Sequence, residues 1–412
     1  RTTPYVADPE LFVFREEVNK EDVLQAATRA VDLDSFIDGY RPQTDRYDRQ
    51  KVALAEYRAL ALQGGWQPIP QGETLKPGMT DPRVGRLRER LRLLGDLKPA
   101  DDRAAAGGDA DFYDDGMVPA VRWMQYRHGL TQDAAVGNQT LAALNMPIEK
   151  RIEQMILNLE RRRWMVDDLG QRHIFVNLAD QQLKLVDEPK TLLDMPVVVG
   201  KPYHRTPIFS HAMTYVEINP YWNVPPSIAR DELLPKIKQD VSYLVRNNYV
   251  LFSDWSSGAT VVDPQSIDWS RVSKSSFPYK IRQDSGDFNA LGRVKFMFPN
   301  RFSIYLHDTP AKSLFSRPER TFSHGCIRVQ DPVLLAEYVL ALNEGWPRER
   351  IDAAVVSGER TVVTLGKPLP VHITYLTSWV NKDGSVHFRN DVYARDATLA
   401  QALVGTRRSD LR

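Results

Sequence analysis

The spacing of apolar residues changes near residue 172, and this change constrains the fold more than any other feature of the chain. Upstream, apolar residues recur at helical intervals, as Val84, Leu87 and Leu91 do. Downstream of His173 they alternate with other residues at a period of two, which is typical of strands. We therefore predict helical modules first and a mostly β domain after them, an α+β fold.

The helical part divides into three stretches. Residues 1–76 show a helical pattern without any chemical motif, so we interpret them as a helical scaffold. Residues 77–148 predict a module of three short helices, and Asp81-Pro82 is a good start for the first of them. Residues 149–171 predict a linking helix.

Short strand-like segments separated by turn residues indicate one mostly β domain over residues 172–380. Its strand-like runs, after an opening hairpin, are 195–199, 213–218, 294–298, 303–306, 360–365 and 371–380. An insertion at about 227–282 interrupts them, and its aromatic residues Trp255 and Trp269 argue against disorder. We hypothesise that this insertion caps the active site as a lid. Residues 381–412 are expected to pack on the scaffold.

Composition narrows the range of partners. The chain has 54 basic and 53 acidic residues, a net charge of +1, which argues against nucleic acid. No run of about 18 apolar residues predicts a membrane span. Since residue 1 is an arginine, we expect that an export signal or a membrane anchor preceded it. The eight histidines are scattered without a His-Glu-x-x-His pattern, so we expect no metal and no cofactor.

Cys326 is the one cysteine in the 412 residues, which excludes a disulfide within the chain. A lone cysteine is either an apolar filler or a reactive group, and its surroundings must decide. An unperturbed thiol is mostly protonated at neutral pH, so a nucleophilic cysteine needs a base. Two histidines are candidates: His324, two residues away, and His307, at the end of a strand-like run 19 residues upstream.

Neighbouring residues suit the same chemistry. Gly325 gives the backbone freedom to bring amide groups near a developing oxyanion. Arg328 carries a fixed positive charge that suits a substrate carboxylate. The plainer alternatives are that Arg328 makes a surface ion pair and that His324 is a packed loop histidine.

The segment around the cysteine resembles the signature of the L,D-transpeptidases, whose catalytic fold is called the YkuD domain. That signature runs here from His307, across 15 residues, to Ser323-His324-Gly325-Cys326 and then Arg328. The stretches PYWNVPPSIARDELLPKI, from Pro220, and NALGRVKFMFPN, from Asn289, resemble the large Gram-negative members. The stretch AVRWMQYRHGLTQDAAVGNQTLAALN resembles a peptidoglycan-binding module.

The resemblance implies that Cys326 attacks the L,D peptide bond after meso-diaminopimelate and forms a thioester. D-alanine leaves, and an amine of a second tetrapeptide stem then resolves the thioester into a 3→3 cross-link. His307 acts as base and then as acid, oriented either by Ser323 or by a backbone carbonyl near Asp308. The resemblance also implies a periplasmic protein that carbapenems acylate at Cys326.

Substrate-binding roles follow from the same resemblance. Amide groups near Cys326 and Tyr305 are expected to form the oxyanion hole, and Trp222 and Asn223 to line the donor cleft. The remaining residues that we expect to contact substrate are His324, Gly325 and Arg328.

Three alternatives remain open from the sequence. Water could resolve the thioester, giving an L,D-carboxypeptidase, or the stem could be transferred to a protein. The chain could also be a wall-binding protein with a decayed enzyme fold, although both Cys326 and His307 are present. A metal hydrolase of wall peptides is disfavoured by the histidine spacing.

Overall fold

The computed structural model describes residues 10–12, 19–104, 107–343 and 345–409. The predicted scaffold and C-terminal segment therefore lie partly outside the described residues. The chain forms two compact units: the first runs to Asp168 and adds 177–180 and the residues after Ile373, and the second comprises 169–176 and 181–373. In the described ranges, no helix is long and apolar enough to cross a membrane.

Helices dominate the first unit. After a two-residue strand, β1, at Leu11–Phe12, they are α1 (Lys20–Arg29), α2 (Leu33–Asp38), α3 (Asp45–Leu62), α4 (Pro82–Leu93), α5 (Met117–Arg127), α6 (Asn138–Leu144) and α7 (Ile148–Trp164). The start of α4 follows its sequence, because the Asp81 side chain accepts the Arg83 amide at 2.8 Å and Pro82 occupies the first turn.

The predicted three-helix module has its own core. The apolar faces of α4, α5 and α6 meet there, and Val84, Leu87 and Leu91 are fully buried. Arg88 is also buried, and it pairs with Asp102 at 2.9 Å and with Asp114 at 2.7 Å. These two carboxylates compensate the guanidinium charge, so this buried cation has a structural explanation.

A sheet that closes on itself forms the centre of the second unit. Its strands, together with those of the insertion, are β2 (Arg172–Asn177), β3 (Gln182–Asp187), β4 (Lys190–Gly200), β5 (Ile208–Ile218), β6 (Trp222–Asn223), β7 (Tyr249–Phe252), β8 (Lys280–Gln283), β9 (Val294–Met297), β10 (Leu306–His307), β11 (Thr321–Ser323), β12 (Ile327–Val329) and β13 (Thr361–Thr374). Neighbours follow the path β5-β13-β2-β3-β4-β12-β10-β9, and β9 pairs back with β5.

The insertion is folded. It contains α8 (Pro226–Ile228), a π-helical turn at Ala229–Leu233, α9 (Leu234–Gln239), α10 (Ser242–Arg246) and a three-stranded sheet of order β6-β8-β7. Its own apolar cluster includes Leu251, Trp269 and Ile281, all buried. Trp255 is 48% exposed.

Two helices and the chain's last elements complete the fold. Helix α11 (Pro332–Leu340) begins as predicted, with the Asp331 side chain accepting the Leu334 amide at 3.0 Å, and α12 (Arg348–Ser357) follows it. The remaining elements belong to the first unit: a hairpin of β14 (Ser378–Val380) and β15 (Val386–Phe388), and α13 (Arg395–Ser409). Asp396 of α13 pairs with Arg161 of α7.

The α+β prediction is confirmed, and two predicted strands are wrong in part. The run 303–306 is extended only from Leu306, because Ser303 has a φ of +55° and the Asn300 side chain accepts the Ile304 amide in a tight turn. The run 371–380 is two elements, since β13 ends at Thr374 and β14 pairs with β15 instead.

Candidate active site

Four titratable residues form one row across the closed sheet. Glu217 on β5 is paired with Lys295 on β9, Lys295 with His307 on β10, and His307 with Arg328 on β12. Residues paired directly across neighbouring strands point to the same face of the sheet. Their side chains therefore share one face, with His307 between two cations.

Cys326 belongs to this face. It lies two residues before Arg328, and Tyr305 lies two residues before His307, so the alternation of side chains keeps all four together. The parallel pairing of β10 with β12 continues at this point, because the Ile327 amide donates to the Tyr305 carbonyl at 3.1 Å. The structure thus brings Cys326 and His307 together from adjacent strands.

The His307 ring is buried, with 4% of its surface exposed. Its Nδ1 lies 2.5 Å from the carbonyl oxygen of Asp308. A carbonyl can only accept, so in the neutral ring this hydrogen bond assigns the proton to Nδ1 and leaves Nε2 as the acceptor. Burial, then Arg328, then Lys295 lower the pKa of His307 to about 3, against the Asp308 carbonyl, which raises it. The ring is therefore neutral at pH 7.

Asp308 is itself held in place. Its carboxylate accepts the amides of Arg293 and Thr309, at 2.8 and 2.7 Å, and pairs with Lys312 at 2.6 Å. Gly292, with a φ of +60°, lies so close that a Cβ there would come within 2.3 Å of the Asp308 Cγ. A glycine is therefore required where the backbone passes this carboxylate.

Cys326 as a residue is partly exposed, and its thiol donates to the Ser303 carbonyl at 3.7 Å. Burial raises its pKa above the ordinary value, while hydrogen bonds with Tyr305 and the charges of Lys295 and Arg328 lower it. Burial is the largest of these influences. The resting site therefore favours a protonated thiol and a neutral imidazole.

The loop before Cys326 is fixed by its own contacts. The Ser323 hydroxyl donates to the Cys326 carbonyl at 2.5 Å and accepts the Gly325 amide at 3.1 Å. Gly325 has a φ of +114°, which only glycine adopts readily, and its carbonyl accepts the Thr206 hydroxyl at 2.7 Å. Of the two expected partners for His307, the structure provides the Asp308 carbonyl, whereas Ser323 holds the cysteine loop.

His324 contacts the insertion. Its Nε2 lies 2.6 Å from Oε1 of Glu232, in the π-helical turn. Its ring also packs on that of His204, with 4.9 Å between centroids. Burial lowers the pKa of His324, and Glu232 opposes this effect. The contact joins the cysteine loop to the insertion.

Trp222 and Asn223 point to opposite faces of the insertion's sheet. Asn223 is paired with Arg282 and is exposed. Trp222 is paired with Gln283 and is half-buried, and its ring centre lies 6.4 Å from that of Tyr249. Burial raises the pKa of Tyr305 well above its ordinary value, and an interaction with Trp222 opposes this shift. The structure brings Trp222, and not Asn223, to the group around Tyr305.

Sequence reasoning missed Lys295 and Glu217. Lys295 stands between Val294 and Phe296, which are both fully buried, so a charged residue interrupts an otherwise apolar strand. That interruption was a usable signal. The position of Lys295 next to His307 follows from the pairing of β9 with β10, and residue spacing in one sequence does not predict that pairing.

Comparisons with known proteins fit this geometry. Residues 171–373 match the family model described as "L,D-transpeptidase catalytic domain" (YkuD), and residues 80–144 match one described as "Putative peptidoglycan binding domain". A curated protein of Haemophilus influenzae, named "Putative L,D-transpeptidase", is 35% identical over 263 residues. The match covers 63% of this chain and 52% of the relative, so the chain spans about half of that protein's length.

Solved structures of the same class are more distant. The L,D-transpeptidase of Xylanimonas cellulosilytica is 16% identical, covers 74% of this chain and 100% of its own, and has a TM-score of 0.23. That of Stackebrandtia nassauensis is 13% identical, covers 77% and 100%, and has a TM-score of 0.26.

Proposed function

Through residues 171–373 the chain belongs to the YkuD family of L,D-transpeptidases, and we propose that it joins peptidoglycan stem peptides by 3→3 cross-links through a Cys326 thioester. The observation that carries this proposal is the shared face of Cys326 and His307, together with the hydrogen bond that leaves the His307 Nε2 free to accept a proton. Tetrapeptide stems are the proposed donor and acceptor.

The first step forms the thioester. The Cys326 sulfur attacks the carbonyl carbon between meso-diaminopimelate and D-alanine, so a C–S bond forms and the C–N bond breaks. His307 accepts the thiol proton at Nε2 and delivers it to the departing D-alanine amine. The thiolate formed beside the ring favours the charged imidazolium, which offsets part of the low basicity of the buried ring.

The second step resolves the thioester. The side-chain amine of a second stem attacks the same carbonyl carbon, a C–N bond forms, and the C–S bond breaks. The amine loses a proton through His307, and the thiol of Cys326 is restored. Backbone amides near Cys326 and Tyr305 are the proposed donors to the oxyanion in both steps, and the Ser323 contacts that fix this loop support that role.

The insertion is the proposed lid over the thioester. It contacts the cysteine loop through Glu232, whose carboxylate lies 2.6 Å from His324. A lid that excludes water would favour the amine acceptor over hydrolysis. We assign to it the choice between transpeptidase and carboxypeptidase products.

The remaining proposals concern place and inhibition. The match to a peptidoglycan-binding model supports a role for residues 77–148 in placing the enzyme on the cell wall, in the periplasm. We also propose the predicted boundaries of the other parts: the scaffold, the linking helix, the catalytic domain and the C-terminal segment, at 1–76, 149–171, 172–380 and 381–412. A membrane anchor outside this chain is a further proposal. Carbapenems are the expected covalent inhibitors at Cys326.

Mass spectrometry of the products tests the proposal. The protein is mixed with disaccharide-tetrapeptide, beside Cys326→Ala and His307→Ala. We expect a dimer lighter than two monomers by one D-alanine, and its absence in both variants. The matched control is His211→Ala, which removes an exposed histidine of β5 and should leave the dimer unchanged.

Other products would change the conclusion. Tripeptide alone, dependent on Cys326, would make the enzyme an L,D-carboxypeptidase. Neither a product nor an adduct on Cys326 would overturn the enzymatic proposal and favour a wall-binding protein.

A further inference from the structure

Two cations that form no ion pair with any residue in the described ranges flank His307 on its two sides. The ammonium of Lys295 lies 4.3 Å from the centre of the Tyr305 ring, and it makes no ion pair with any residue that the structure describes. Glu217, its neighbour across β5 and β9, is paired with Arg360 at 3.2 Å. Nε of Arg328 is buried and has no hydrogen-bond partner in the described chain.

The charges of these two groups are only partly compensated, because Glu217, which favours the charged form of Lys295, is also paired with Arg360. A buried cation is normally paired, and a buried N–H is normally bonded, because each otherwise loses its interaction with water. Burial lowers the pKa of both Lys295 and Arg328, which reflects the same cost. The module around Arg88 provides the contrast, since two carboxylates compensate that buried guanidinium.

We propose that Lys295 and Arg328 together bind a carboxylate of the donor peptide, one from each side of His307. This inference rests on the proposed function and adds a subsite to it. The subsite requires an anionic donor, so a donor that is neutral at the bound position reacts poorly.

The sheet positions the two cations for one ligand. They extend from β9 and β12, the strands on either side of β10, and share its face. Strands in a sheet lie about 4.8 Å apart, so the two backbones are separated by roughly 10 Å. A lysine and an arginine side chain can converge on one carboxylate across that gap, beside the thiol of Cys326.

The donor stem offers two carboxylates of this chemistry near the scissile bond: that of the terminal D-alanine and the second carboxylate of diaminopimelate. Three synthetic donors distinguish them. One is unmodified, one carries a D-alanine carboxamide, and one carries an amidated diaminopimelate. The measurement is kcat/KM for release of D-alanine or its amide, with wild type and with Lys295→Met.

We expect wild type to prefer the unmodified donor over one of the two amides by about 10- to 100-fold, the range for a charge-assisted hydrogen bond. The amide that loses reactivity identifies the carboxylate that is bound. Lys295→Met should reduce this preference about tenfold, and Lys295→Arg should retain most of it. The control Lys367→Met removes an exposed lysine of β13 and should leave the preference unchanged.

The ratio of kcat/KM between donors is the decisive quantity, because all three donors react with the same thiol. Any effect of Lys295→Met on thiol reactivity cancels in this ratio. Alkylation of Cys326 by neutral iodoacetamide measures that effect separately. If the wild-type enzyme had the same kcat/KM for all three donors, the subsite would be overturned while the proposed function stood. The same would follow if Lys295→Met left the preference between donors unchanged. No reaction of wild type with the unmodified donor would instead overturn the proposed function.

Discussion

The backbone carbonyl of Asp308, and not its carboxylate, holds the imidazole of His307, at 2.5 Å from Nδ1. The carboxylate faces away and is bound by two amides and by Lys312. We therefore expect Asp308 to act as a positioning residue, since its backbone carbonyl orients the candidate base while its carboxylate holds the surrounding backbone.

Asp308→Ala should lower kcat/KM about 10- to 100-fold, because the carbonyl loses the anchor that fixes it and the ring moves with it. Asp308→Asn keeps an acceptor for the amides and should recover most of this loss. Steady-state kinetics of both variants, after circular dichroism has established that they fold, would measure the difference. Full activity in a folded Asp308→Ala protein would contradict the positioning role.

Alkylation of Cys326 by iodoacetamide should accelerate with pH through a midpoint above the ordinary thiol pKa, since burial raises the pKa of this group. At pH 7 the reaction should therefore be slow. The single cysteine makes the assay specific, and the mass of the intact protein reports it. A rate that is already constant below pH 7 would indicate a preformed thiolate–imidazolium pair instead.

The neutral, buried His307 should make stability depend on pH. Its pKa is about 3 in the folded protein, against about 6.5 in an unfolded chain, so below pH 6.5 the unfolded chain binds the extra proton. The stability that this group contributes is present above pH 6.5 and is lost as pH falls toward 3. From pH 7 to 5, the loss is about 2 kcal/mol.

Urea denaturation of wild type and His307→Gln at pH 7 and pH 5 isolates this contribution. Other groups that titrate in this range, including the buried His128, are common to both proteins and cancel in the difference. We expect wild type to lose about 2 kcal/mol more than the variant. Equal losses would mean that His307 is already protonated at pH 5.

Gly325→Ala should abolish most activity. At a φ of +114° an alanine is strained by roughly 1–3 kcal/mol, and its Cβ would approach the Ile304 Cδ1 to 3.2 Å. The loop that carries Cys326 would then shift. Gly366→Ala is the matched control, because nothing lies within 4 Å of the added atom. Comparable activity of the two variants would show that the loop tolerates a side chain.

Glu232→Ala should shift the products from cross-linked dimer toward hydrolysed tripeptide, because it removes the contact of the proposed lid with His324. Asp240→Ala, which removes an exposed ion pair of the same insertion, serves as the control. The ratio of dimer to tripeptide by mass spectrometry is the readout. An unchanged ratio would count against the role of this contact in excluding water.

Local patterns predicted the parts of this fold that depend on local physics. The start of α4 at Pro82 and that of α11 at Pro332 follow from an aspartate cap and a proline in the first turn. The turn at Ser303 was missed because its cause is a side chain, Asn300, that bonds the backbone four residues on. A period-two pattern does not report such a turn.

The candidate site divides in the same way. Its signature identifies Cys326 and His307 because their spacing is fixed along the chain. Lys295 and Glu217 reach the site only through their register across β5, β9 and β10, and the partner of His324 lies in the distant insertion. Such pairings depend on which strands become neighbours, a property of the whole sheet.

The closed sheet makes reactivity a property of complete folding. Each member of the row Glu217, Lys295, His307 and Arg328 comes from a different strand, and β9 must meet both β5 and β10 before the row exists. A nascent or partly unfolded chain carries an ordinary thiol with no base in register. In such a chain Cys326 and His307 lie apart, and we expect the thiol to gain its candidate base only when β10 and β12 have paired.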